Sequence, residues 1–136
     1  MHWSVNYLGR PFQSGADGPD AYDCWGLVRA VLRDRAGIEV PKAPVSDATN
    51  AREVAREFAR SQLYADWREI DTPERELDVT LMAEGRYPVH VGLWIPVGRG
   101  RVLHAVEAGG VVCVDLTSLS MAGYRVLGWY RHAHLC

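Results

Sequence analysis

The chain has 136 residues, 48% of them apolar and 24% charged, with a formal net charge of −2. We therefore predict a single folded domain over residues 1–136, because chains of this length usually form one core and this composition excludes a disordered chain. The balanced charge argues against a nucleic-acid partner, and the lack of a long apolar stretch or secretory signal predicts synthesis in the cytoplasm without a membrane partner.

The predicted elements begin with a loop and a helix. Residues 9–20 are rich in Gly, Pro and Asp, which indicates irregular structure. Over residues 23–36 the apolar positions fall on one helical stripe, and Gly37 is suited to end the helix, so Cys24 lies in its first turn. A second helix is predicted over residues 50–63.

The second half of the chain alternates between apolar and polar residues. This pattern predicts strands at 78–82, 89–95, 101–106, 111–116 and 124–131. Helices followed by strands are typical of an α+β domain, in which the helices pack on one face of an antiparallel sheet of about five strands.

The three cysteines, an odd number at wide spacing, argue against a disulfide framework. Cys24 stands out among them, because the unpaired N–H groups and the dipole at the start of a helix favour a thiolate and lower the thiol pKa. The alternative is that Cys24 is a small apolar residue at the start of a buried helix.

Two histidines lie on predicted neighbouring strands. Because side chains alternate along a strand, His90 shares a face with Gly92 and Trp94, and His104 shares one with Val102. A loop with an odd number of residues would bring both histidines to the same face, close together. An even loop or a bulge would separate them.

Cys24, His90 and His104 are the residue types that a thiol nucleophile needs. An imidazole, here that of His90, takes the proton of the thiol and gives it to the leaving amine. A polar neighbour on its second nitrogen fixes the tautomer and the ring orientation, here His104. The backbone N–H of Cys24 is a candidate donor to the oxyanion.

Zinc offers two other interpretations of the same residue types. One Cys and two His form a known catalytic zinc set, so Cys24 and the two histidines are one candidate site. The alternating ligands at the C-terminus, His132, His134 and Cys136, are the other, although terminal residues are usually mobile. We favour neither and predict no metal and no cofactor.

Three runs of residues carry a family resemblance: YDCWGLV at 22–28, HVGLW at 90–94 and LHA at 103–105. They resemble the NlpC family of papain-like cell-wall cysteine peptidases. The Trp that follows the cysteine resembles the sequences of one branch of this family, which is found in bacteriophage tail-tip assembly proteins. The resemblance implies a papain-like fold and a thiol endopeptidase that cuts peptidoglycan stem peptides, typically between D-glutamate and a diamino acid.

The resemblance also implies roles for single residues. Cys24 is the nucleophile, His90 the base and His104 the residue that orients the base. The expected substrate-binding residues are Tyr22, Asp23 and Trp25, with Asp23 holding the amino group of the substrate.

Two positions depart from the family pattern. Many relatives have a tyrosine where this chain has Phe12, whose ring cannot donate a hydrogen bond to an oxyanion. Many also have a serine where this chain has Val89.

We therefore predict a peptidoglycan hydrolase whose partners are peptidoglycan peptides and, as a further expectation, phage tail-tip proteins. Its expected location is the tail tip of a virion or the cell wall. Two alternatives stay open: a structural tail-tip or adaptor protein that keeps the peptidase fold, and a thiol amidase or acyltransferase.

Overall fold

The computed structural model describes residues 2–41, 66–84 and 87–136. The helix predicted over residues 50–63 lies outside the described residues. None of the described helices is long and apolar enough to cross a membrane.

The first described helix, α1 (Cys24–Ala36), confirms the sequence prediction. Asp23 caps its start by accepting a hydrogen bond from the backbone N–H of Gly26, and Gly37 ends it in the left-handed conformation at φ 66°. Cys24 is therefore the first residue of the helix.

The described strands form one antiparallel sheet in the order β1-β6-β2-β3-β4-β5. They are β1 (Trp67–Ile70), β2 (Val79–Glu84), β3 (Tyr87–Ile95), β4 (Arg101–Val106), β5 (Gly110–Asp115) and β6 (Tyr124–His132). The five predicted strands are confirmed to within two residues at each end. Strand β1 and the short helix α2 (Leu116–Met121) were not predicted, because four and six residues are too few to show a periodic pattern.

The sheet has an apolar core on each face. The first lies under α1, and its buried sheet residues are Val79, Val91, Leu93, Ile95, Leu103, Ala105 and Val111. The second lies under α2, and its buried residues are Met82, Trp94, Val102, Leu119 and Trp129. The predicted packing of α1 on one face of the sheet is confirmed, and the unpredicted α2 packs through Leu119 on the other face.

A buried ion pair joins the start of β2 to the end of β6. Both guanidinium nitrogens Nε and Nη2 of Arg131 donate to the carboxylate of Asp78, at 2.7 and 2.8 Å. The same carboxylate accepts from the backbone N–H groups of Glu74 and Arg75. Burial alone would raise the pKa of Asp78, but these hydrogen bonds and the Arg131 charge hold it below its usual value.

We expect Asp78→Asn to lower the free energy of unfolding by about 3–5 kcal/mol, because it leaves the Arg131 charge buried without its partner. Because the folded-state pKa of Asp78 is lowered, its stabilising effect is complete above the unfolded value and is lost as the pH falls through the folded one. In urea unfolding, the difference between wild type and variant should therefore shrink below about pH 4. Asp71→Asn at an exposed position is the matched control, and a difference that stays constant down to about pH 2 would contradict this assignment.

Candidate active site

The start of α1 is held by the loop of residues 9–20. The two carboxylate oxygens of the buried Asp23 accept hydrogen bonds from the backbone N–H groups of Gly26, at 2.6 Å, and Gly15, at 2.7 Å. A Cβ on Gly26 would collide with the carbonyl oxygen of Ala16. This close contact between the loop and the first turn fixes the position of Cys24.

The two predicted histidines meet on the sheet. The loop between β3 and β4 has five residues, Trp94 lies opposite Val102, and His90 and His104 therefore share a face. Their side chains form a hydrogen bond of 2.7 Å between Nε2 of His90 and Nδ1 of His104. Both residues are buried, at 7% and 2% exposure. The predicted juxtaposition of the two histidines is confirmed.

The histidines and α1 lie on opposite faces of the sheet. His90 is opposite Met82 of the second core, whereas its neighbour Val91 belongs to the first core under α1. The paired residues between β3 and β4 are Leu93–Ile95 with Arg101–Leu103, so this ladder stops before it reaches the two histidines.

The sulfur of Cys24 lies at the point where this ladder stops. Trp94 donates its N–H to Asp78 on the β2 side, so by alternation the N–H of Val91 points towards β4. That N–H forms a hydrogen bond with the Cys24 sulfur. The thiol thus contacts the backbone next to His90, although its helix covers the other face.

A glycine makes the approach of the two strands possible. A Cβ on Gly92 would lie 2.7 Å from Cγ1 of Val102, 3.1 Å from the carbonyl oxygen of Leu103 and 3.2 Å from Cβ of His104. These distances are shorter than van der Waals contacts allow. Gly92 therefore lets His104 come within hydrogen-bonding distance of His90.

Burial dominates the electrostatics of the site. It raises the pKa of Cys24 to about 12, with the Asp23 carboxylate adding to the shift, and the N–H groups of Val91, Trp25 and Cys24 only partly offset it. Burial likewise lowers the pKa of His90 to about 3 and that of His104 to about 4. The expected lowering of the Cys24 pKa is therefore wrong, because desolvation outweighs the helix N-terminus, and all three groups favour their neutral forms.

Tyr124 is a site residue that the sequence analysis missed. Its ring stacks on His90, with ring centroids 4.7 Å apart, and contacts His104 edge-on at 5.2 Å. Besides burial and Glu84, a thiolate at Cys24 would raise the pKa of the Tyr124 hydroxyl, so the Cys24 sulfur is close enough to interact with it electrostatically. The sequence signal that could have found it is Gly128, because a glycine inside a strand often accompanies a bulge.

The expected substrate-binding residues surround the start of α1. Tyr22 is buried in the first core and packs over Gly18, and both oxygens of Asp23 already accept backbone hydrogen bonds. Trp25 is partly exposed, contacts the Trp67 ring and donates its indole N–H to a backbone carbonyl. Their roles towards a substrate stay predictions.

Metal binding finds no support in residues 2–41, 66–84 and 87–136. No group of three or more His, Cys, Asp or Glu side chains in these ranges is arranged to hold a metal ion. This applies to both zinc alternatives. At the C-terminus, Nδ1 of His132 instead accepts a hydrogen bond from the backbone N–H of His134.

The arrangement of Cys24 and the two histidines agrees with the protein family that the chain matches. The model of the NlpC/P60 family matches residues 9–129, which include the loop, α1 and both histidines. The chain belongs to the NlpC/P60 family. This is a family of cysteine peptidases that act on peptidoglycan.

Individual NlpC/P60 relatives are distant in sequence. The Escherichia coli (strain K12) protein named Murein DD-endopeptidase MepS/Murein LD-carboxypeptidase is 25% identical over 112 residues, which cover 82% of this chain and 50% of the relative. The chain thus spans about half the length of the curated relatives it matches.

Two solved NlpC/P60 structures show the same fold. NlpC2 from Trichomonas vaginalis has a TM-score of 0.66 and 20% identity, covering 95% of this chain and 44% of its own. The NlpC/p60 domain of the peptidoglycan hydrolase SagA has a TM-score of 0.58 and 14% identity, and the match covers 94% of this chain and 91% of the SagA domain chain.

We expect Gly92→Ala to separate the two histidines of the NlpC/P60 site, because the added methyl group forces β4 away from β3. The free energy of unfolding should fall by about 1–3 kcal/mol. NMR of the imidazole nitrogens should show loss of the hydrogen bond between His90 and His104. Gly109→Ala is the matched control, because its Cβ would meet only ordinary contacts at 3.4 Å and beyond. An intact histidine pair in Gly92→Ala would contradict this role.

The raised pKa of Cys24 predicts how its alkylation depends on pH. Only the thiolate reacts, so the rate of Cys24 labelling by iodoacetamide should rise steadily between about pH 6 and pH 9, without a plateau. Peptide mapping after short labelling measures this rate, and exposed Cys136 is the internal reference. A plateau at low pH that disappears in His90→Ala would instead reveal a thiolate–imidazolium pair in the free protein.

Proposed function

We propose that this chain is a cysteine endopeptidase that hydrolyses amide bonds in peptidoglycan stem peptides, with Cys24 as nucleophile, His90 as base and His104 as the residue that orients it. The observation that carries the proposal is the 2.7 Å hydrogen bond between buried His104 on β4 and buried His90 on β3, the strand whose backbone contacts the Cys24 sulfur. Membership of the NlpC/P60 family supports it.

The hydrogen bond between the histidines assigns a role to each ring nitrogen. The bond uses Nε2 of His90, so Nδ1 is the nitrogen that acts on the thiol. A base at Nδ1 requires the proton on Nε2, which then donates to Nδ1 of His104. His104 must be neutral to accept this bond, and burial lowers its pKa to about 4, which keeps it neutral.

The reaction proceeds in two stages. The Cys24 sulfur attacks the carbonyl carbon, its proton passes to His90, and the carbonyl electron pair moves to oxygen. The tetrahedral intermediate collapses as His90 gives that proton to the leaving amine, which leaves a thioester on Cys24. Water then attacks the thioester with His90 as base, and His90 returns the proton taken from the water to the departing Cys24 sulfur. The product is a carboxylic acid, which loses its own proton to solvent.

Burial decides when the first proton moves. Because it favours the neutral forms of both Cys24 and His90, the transfer accompanies the attack on the carbonyl rather than preceding it. The backbone N–H of Cys24 at the start of α1 is the proposed donor to the oxyanion. Phe12 has no hydroxyl for this purpose, so the backbone carries more of the task.

The substrate class rests on the relatives. One is named a murein DD-endopeptidase and LD-carboxypeptidase, and another a peptidoglycan hydrolase. We propose the D-glutamyl–diamino acid bond as the bond that is cut. We also propose that the protein is associated with a phage or prophage tail and is located at the tail tip or cell wall. This part of the proposal rests on Trp25, the residue after the proposed nucleophile.

Product identification on defined stem peptides tests the proposal. We expect new amino termini at a diamino acid, no turnover in Cys24→Ala, and a loss of about 10²–10⁴-fold in His90→Gln because an amide is not a base near neutral pH. His104→Gln should keep more activity than His104→Ala, since the amide oxygen still accepts the hydrogen bond from His90.

The same experiment separates the alternatives. Thermal unfolding of each variant shows whether it is folded, which makes a loss of turnover a statement about chemistry. No turnover by folded wild-type protein on any stem peptide would favour a structural tail-tip or adaptor protein. Products in which the acyl group is joined to a new acceptor would favour a transferase. Release of ammonia from an amide would favour an amidase.

A further inference from the structure

The Tyr124 ring contacts both imidazoles of the histidine pair. It stacks on His90 with an interplanar angle of 27° and meets His104 at 90°. The two imidazoles are themselves nearly perpendicular, at 76°. The three rings therefore form one cluster. His90 and His104 are joined by a hydrogen bond, and Tyr124 contacts both through its ring.

A β-bulge brings Tyr124 to this face. Opposite β2, Gly128 pairs with Leu81 and Val126 pairs with Met82, so Leu127 is an extra residue in β6. Without it, strict alternation would put Tyr124 on the face opposite Trp129. With it, Tyr124 and Val126 lie with Trp129 on the histidine side.

The surroundings of Tyr124 differ from those of a core residue. The residue is only partly buried, and it lines a cleft of about 510 Å³ between α2 and β6. Burial and the nearby carboxylates of Glu84 and Glu107 raise the pKa of its hydroxyl to about 12, so it stays neutral and acts through its ring.

We propose that Tyr124 is a positioning residue, whose ring restrains the imidazole of His90 so that Nε2 stays bonded to His104 and Nδ1 stays directed at the thiol. The proposal rests on the proposed function for its catalytic meaning. A ring stacked on an imidazole blocks rotation about the bond between Cβ and the ring, because any large rotation would collide with the stacked face. The hydrogen bond to His104 then selects one of the two orientations that remain.

NMR of the imidazole nitrogens tests this restraint without any substrate. In wild type we expect a single tautomer of His90 with the proton on Nε2. Tyr124→Phe keeps the ring and should keep that tautomer, whereas Tyr124→Leu removes the stacked face and should give a mixture of tautomers. Val126→Ala is the control, because Val126 packs against the same core and has no ring to stack on an imidazole. Tyr124→Val is a second variant if Tyr124→Leu does not fold.

Turnover of stem peptides gives the second measurement. Loss of the restraint should lower kcat by about 10- to 100-fold and leave KM nearly unchanged, because orientation of the base matters in the transition state. An unchanged tautomer in Tyr124→Leu, or equal effects in Tyr124→Phe and Tyr124→Leu, would overturn the proposal. A tautomer change in a protein without peptidase activity would support the restraint and refute the proposed function.

Discussion

The carboxylate of Asp23 ties the loop of residues 9–20 to the first turn of α1, and the position of the thiol depends on that tie. One oxygen caps the helix at Gly26 and the other holds the loop at Gly15. A buried carboxylate requires such donors, so loop and helix can form this contact in essentially one way. Burial raises the pKa of Cys24, and the same negative charge adds to this shift. The group that places the thiol thus also favours its protonated form.

The pairing of β3 and β4 explains how the thiol of a helix on one face of the sheet comes close to histidines on the other face. Strands β3 and β4 pair only from Leu93 to Ile95 along β3, and the thiol lies against the N–H of Val91 just beyond. The close approach at Gly92 brings His104 to His90 at the same level. Burial then keeps the thiol and both imidazoles neutral.

The histidine face carries features that the family motifs do not contain. Tyr124 reaches this face through the bulge at Leu127, and its ring borders both the imidazoles and an open cleft. Phe12, in contrast, belongs to the loop of residues 9–20, and its ring, which has no hydroxyl, packs against the first core. An aromatic ring beside the base and backbone N–H groups beside the thiol are therefore the means by which this chain would orient and stabilise the reacting groups.

The sequence by itself determined α1 with its C-cap at Gly37, five strands, and, for a loop with an odd number of residues, the pairing of His90 with His104, because these depend on local periodicity and on loop parity. Only the tertiary structure decided the rest. The bulge at Leu127 breaks the alternation that places Tyr124, and the pKa of Cys24 depends on protein atoms from distant parts of the chain. Gly128 is a local signal for a bulge, but which residue is extra, and which atoms bury the thiol, are decided only where separate segments pack together.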